Sequence, residues 1–166
     1  MDSTPAEAAI PALNSAAPVR LTYGQFTTDV SPHRITTQTI EWFRSGACPL
    51  MAWALVHQAA QHGHTWHLAL IGDARNWGNW WHMGALTEDK ALFVDVGGAH
   101  DVDLVCAWWH EHHKERRHPG DNTAVYTVSD LFYSLIWYDP RHVNSQTRET
   151  TLTLADQVLA DNGFHI

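Results

Sequence analysis

Three residues of this chain supply a thiol, an imidazole and a carboxylate in an order that suits acyl chemistry: Cys48, His82 and Asp95. Cys48 lies in SGACPLMAWAL, where small residues lead into an Ala-rich apolar run that opens with Pro49. Proline suits the first turn of a helix, because the N–H it lacks would have no partner there. Cys48 is therefore expected at a helix start, where free N–H groups and the positive end of the helix dipole favour a thiolate. His82 opens one expected strand, and Asp95 sits near the end of the next. With that first strand against the helix start, His82 serves as general base and then acid, and Asp95 holds the imidazole by its other nitrogen. The Cys48 N–H is a natural oxyanion donor. Trp80 and Trp81, just before His82, are candidate cleft walls.

Taken singly, each residue has a structural explanation. A Cys at a helix start serves as a small buried hydrophobe. A His beside two Trp is commonly a satisfied half-buried side chain, and an Asp before Gly97-Gly98 suits a turn. Their order and spacing together carry the catalytic expectation.

The elements that must position these groups can be read in chain order. RLTYGQFTTDV, from Arg20, alternates weakly and reads as a short strand or extended lead-in. Thr36 or Thr37 can cap a short helix with Ile40 and Phe43 on one face, ended by Ser45-Gly46. The Cys48 helix repeats Met51, Ala54, Leu55 and Ala59 at helical spacing and stops at Gly63. Residues 66–72, 82–86 and 91–96 read as strands, the last two joined by a turn over 87–90 and closed by Gly97-Gly98. Asp101 caps a helix through HHKERR, with Val102, Val105, Trp108 and Trp109 on one side and Cys106 in the core. His33 and His100 fall in expected loops. TAVYTV reads as a strand, Ser129 or Asp130 caps an aromatic helix, and residues 149–162 form a final amphipathic helix. Helices, then an antiparallel meander, then helices make an α+β class.

The stretch SGACPLMAWAL, HGHTWHLALIG, WHMGAL and ALFVDVGG, about a third of the chain, resembles the papain-like and transglutaminase-like cysteine hydrolase superfamily, including its compact bacterial and phage-borne members. The resemblance implies a nucleophile helix packed on an antiparallel sheet with C-terminal helices. It also implies thiol attack on an amide, ester or thioester through an acyl-enzyme, with a protein or peptide among the substrates. The pattern departs from papain-like proteases at one point. Those carry a Gln shortly upstream of the nucleophile as second oxyanion donor, and here the nearest upstream Gln is Gln38, ten residues before Cys48.

Composition narrows the alternatives. The 166 residues fit one domain, expected over 19–166, with residues 1–18 (Ala, Pro, Ser and Thr with scattered acids) as a flexible arm. A net charge of −8 argues against nucleic acid or an anionic membrane as main partner. Two Cys far apart make no disulfide framework, and the N-terminus lacks the pattern of a secretory signal. A cytoplasmic location, or delivery into a host cell as an effector, is the corresponding expectation. No cofactor or metal is called for. Two rivals remain: a zinc protein built on His110 and His113, with His112, His118 and the 62–67 histidines nearby, and a non-enzymatic effector or inhibitor that grips a partner through its tryptophans. The His segment lacks the HExxH order of metalloproteases and any zinc-spaced Cys pair, so a solvated helix end explains it better.

Overall fold

Residues 67–73, 80–86 and 92–95 form the strands of an antiparallel meander, short apolar runs buried on both faces. A computed structural model describes residues 16–73, 75, 80–113, 115, 122–129, 139 and 141–164. Expectations for the arm, except residues 16–18, and for Trp77, His118 and the aromatic segment 131–138 lie outside the described residues.

Among the described residues, seven strands and four α-helices follow in order. Strands β1 (Val19–Tyr23) and β2 (Phe26–Val30) form a hairpin. Helix α1 (Thr37–Trp42) runs through a π-helical turn (Phe43–Ala47) into α2 (Cys48–Gln61). Strands β3 (His67–Asp73), β4 (Trp80–Leu86), β5 (Leu92–Asp95) and β6 (Gly98–Asp101) come next. Helix α3 (Val102–His112), β7 (Thr123–Thr127) and α4 (Ser145–Asp161) complete the described elements. The α+β class is as expected.

The larger sheet has the order β6-β5-β4-β3-β7, antiparallel throughout. Alternation divides its side chains between two layers. Leu68, Leu70, Met83, Ala85 and Val94 join the main core with α2 and α4, whereas Ala69, Ile71, Leu86 and Phe93 pack with Trp109 of α3. Nine of the 14 residues of α2 are buried, so this helix is enclosed on more than one side and anchors the main layer. Fully burying one large apolar side chain, such as Leu55 of α2, contributes about 1.5–3 kcal/mol. The β1–β2 hairpin is tied to α4 by the Thr22 N–H donating to Thr147 Oγ1 at 2.9 Å.

Several boundaries differ from the sequence reading for identifiable reasons. The segment from Arg20 is two strands, because Gly24 takes a positive φ of 57° and reverses the chain. One boundary holds: Ser45-Gly46 ends the first helix, the chain kinks at Gly46 with φ 146°, and α2 begins at once. Gly97-Gly98 does not end the sheet: Gly98 begins β6, which places His100 on a strand rather than in a loop. The α3 helix stops at His112, and α4 starts at Ser145, where the Asn144 side chain accepts from the Thr147 N–H at 2.7 Å. Trp108, expected to share the apolar side of α3, is 48% exposed, and Cys106 is only half-buried. Two adjacent tryptophans point about 100° apart on a helix, and Trp109 is the one that reaches the sheet.

Candidate active site

Cys48 is the first residue of α2, directly after the π turn, with Pro49 behind it. Its thiol is buried and free. The β4–β5 ladder ends at the Ala85–Val94 pair, so Met83 has no partner on β5. The Met83 N–H is instead directed at the Cys48 sulfur. Burial pushes this thiol up to about 12; the N–H groups of Met83 and Cys48 itself favour the thiolate, and the nearby Asp95 charge opposes it.

His82 precedes Met83 and therefore turns to the other layer, where its ring stacks on Trp109 with centroids 5.1 Å apart and planes 16° from parallel. The stack continues: Trp109 lies on His113 at 4.7 Å, and His113 on Trp81 at 5.3 Å. Trp81 joins this column because β4 carries a bulge beside it. Ile71 pairs with His82 but Gly72 with Trp80, so Trp81 is the extra residue. Trp80 is partly exposed at the strand end.

Asp95 closes the arrangement. Its Oδ2 lies 2.9 Å from His82 Nε2 with both side chains buried. Facing the carboxylate, Nε2 is the donor of this contact. Nδ1 is buried and has no hydrogen-bond partner among the described residues. Asp95 also accepts from the Gly97 N–H at 2.7 Å, from His100 Nε2 at 3.4 Å, and from the Arg44 guanidinium at 3.3–3.5 Å. Burial alone would raise the Asp95 carboxyl, but hydrogen bonds from His100 and His82 and the charges of His82 and Arg44 outweigh it. The group is held well below the ordinary carboxylate range.

Close approach of β4 and β5 depends on Gly84. A Cβ there would run into the Phe93 ring and the Val94 carbonyl oxygen. Phe93 thereby crosses β4 beside His82, whose ring centroid lies 6.0 Å away.

Thus His82 and Asp95 are brought together, whereas Cys48 sits in the layer of α2 and makes no hydrogen bond to the His82 ring. Arg44 and His100, which sequence reasoning did not assign, complete the carboxylate's shell. Arg44 is found only once the π turn aligns it with β5. Trp109 covers one face of the imidazole, Trp81 lies at the far end of the stack against His113, and Trp80 is partly exposed at the strand end.

A cavity of about 490 Å³ opens beside this network, bounded by Arg44, Asp95, His100, Leu104, Trp108 and Trp109. Neither Cys48 nor His82 lines it. The histidines of α3 are otherwise engaged: His110 Nδ1 is 2.8 Å from Thr123 Oγ1, and His112 Nδ1 is 2.8 Å from the Trp108 carbonyl oxygen. Among the described residues, no three His, Cys, Asp or Glu side chains are grouped to hold a metal ion. Among them, too, no helix is long and apolar enough to cross a membrane. Comparison of the chain with family models, with curated proteins and with solved structures finds no match.

Proposed function

We propose that this protein is a cysteine-dependent hydrolase or acyl-transfer enzyme of papain-like or transglutaminase-like type, acting on a protein or peptide substrate. The observation that carries this reading is the buried imidazole of His82, whose Nε2 is committed to Asp95 while Nδ1 has no partner among the described residues. An unsatisfied buried polar atom costs about 1–3 kcal/mol, a cost accounted for if a proton reaches that atom during turnover.

The chemistry then runs as follows. A thiol pushed up to about 12 is neutral at rest, so its proton leaves as the sulfur attacks rather than beforehand. His82 Nδ1 takes that proton, and Asp95 stabilises the resulting imidazolium. The Cys48 N–H steadies the developing oxyanion. His82 returns the proton to the departing amine or alcohol, leaving a thioester on Cys48. Water or another acceptor, deprotonated by the same nitrogen, attacks this thioester and frees the thiol.

Acetylation by p-nitrophenyl acetate, mapped by peptide mass spectrometry, tests the assignment. An acetyl group on Cys48 in preference to Cys106, formed far more slowly in the His82→Ala variant, is the expected outcome. Equal labelling of both thiols, or a rate indifferent to His82→Ala, overturns it.

A second reading is favoured by one observation, the placement of the main cavity away from Cys48 and His82. In that reading the same fold is a non-enzymatic effector or inhibitor, and the exposed Leu104 and Trp108 meet its partner protein.

A further inference from the structure

The cavity beside Asp95 has a two-part wall. Its inner end is polar, made by Arg44, Asp95 and His100, and these groups are occupied with one another: Asp95 accepts from both of the other two. Its outer wall is apolar and comes from α3. Leu104 and Trp108 are four apart and share one stripe of the helix, yet they are 71% and 48% exposed. Trp109 and Val105 lie behind them against the sheet. A helix face that only met solvent would gain nothing from Leu and Trp at adjacent turns, since exposed large apolar groups there add no burial. The volume falls within the range of about 300–1,000 Å³ typical of small-ligand sites.

We infer that this cavity is a specificity pocket for a large apolar, preferably aromatic, side chain of the substrate, held between Leu104 and Trp108 and bounded at its base by the Arg44–Asp95–His100 network. The inference rests on the hydrolase reading, because the same carboxylate that orients His82 forms the pocket floor. The arrangement also sets selectivity against charge. Arg44 and Asp95 neutralise each other, so neither a basic nor an acidic side chain finds an uncompensated partner at the base. Asp101 at the rim, whose Oδ1 accepts the N–H groups of Asp103 and Leu104 as a helix cap, is already engaged.

Binding can be read without catalysis. The full-length Cys48→Ala protein is titrated, by calorimetry and by indole N–H chemical shifts, with N-acetyl amides of phenylalanine, glycine, arginine and glutamate. The phenylalanine compound is expected to bind about tenfold or more tightly than the glycine compound, the order expected for burying one large side chain. Trp108→Ala and Leu104→Glu are expected to abolish that preference with unchanged circular dichroism, both side chains being at the surface. A preference for the arginine or glutamate compound, equal binding of all four, or a preference that survives both variants overturns the pocket. Selective binding together with failure of the Cys48 acetylation experiment removes the hydrolase reading and leaves an aromatic-binding site. Acetylation at Cys48 without selective binding removes the pocket alone.

Discussion

His82 Nε2 and Asp95 Oδ2 face each other at 2.9 Å across two strands that have ceased to pair. The contact is diagonal: Asp95 follows the last ladder pair of β5, and His82 lies three residues before the last on β4. The carboxylate bridges the parted strands on the α3 side, so the His82–Asp95 contact and the end of the β4–β5 ladder are one event here.

Loss of the Asp95 charge is expected to destabilise the fold most of all single changes at the site. Asp95→Ala leaves His82, His100 and Arg44 without their common acceptor, and breaking a buried pair of this kind costs about 3–5 kcal/mol. Asp95→Asn keeps the shape, so it should cost less, yet still slow acetylation of Cys48. Urea unfolding of both variants checks the order.

Acid sensitivity follows from the same group. A carboxyl whose folded value is depressed contributes stability that is full above its unfolded value of about 3.9 and is lost as pH falls toward the folded one. Wild-type unfolding free energy should therefore drop below about pH 4 more steeply than that of Asp95→Asn. Parallel curves for the two proteins would contradict this.

Cys48 acts at the opposite end of the scale. Its folded value is raised to about 12, so its contribution is complete below the unfolded thiol value and is lost as pH climbs between the two. From about pH 8.5 upward the wild type should lose stability at up to about 1.4 kcal/mol per pH unit more than Cys48→Ala does. Alkylation of resting Cys48 by iodoacetamide should likewise keep rising with pH well beyond 9 instead of reaching a plateau near neutrality.

At neutral pH, Cys48→Ala removes one buried sulfur and should cost only about 1 kcal/mol in stability while abolishing turnover. Thermal unfolding beside an assay of acyl transfer separates the two effects. Full activity in this variant would end the nucleophile assignment.

Gly84→Ala is the packing counterpart. The added carbon meets the Phe93 ring and the Val94 carbonyl, and the backbone oxygen cannot turn aside. A loss of about 1–3 kcal/mol is expected, with Cys48 reactivity altered because β4 and β5 must move apart.

What the sequence reveals about this site depends on the range of the interaction. The start of α2 is legible because Pro49 and the small residues before Cys48 act locally. The meander is legible because β4 and β5 are short apolar runs and the turn between them is short and polar. His100 is not legible: β6 is four residues long and begins with glycine, so nothing local distinguishes it from a loop. Arg44 is hidden for another reason. Its contact with Asp95 spans 51 positions and depends on the kink at Gly46, whose place Ser45-Gly46 marks but whose direction it does not. The division between Trp108 and Trp109 depends on which side of α3 the sheet occupies, and periodicity fixes a stripe but not what faces it.

The bulge at Trp81 has a consequence for how such a chain can change over time. Every residue from His82 onward is phased against β3, whereas the residues before Trp81 answer to a separate phase. A length change in the connection ahead of β4 would be absorbed at that point, as a slipped stitch is, without rotating the imidazole away from Asp95. The length of that connection is free to vary while His82 stays in register.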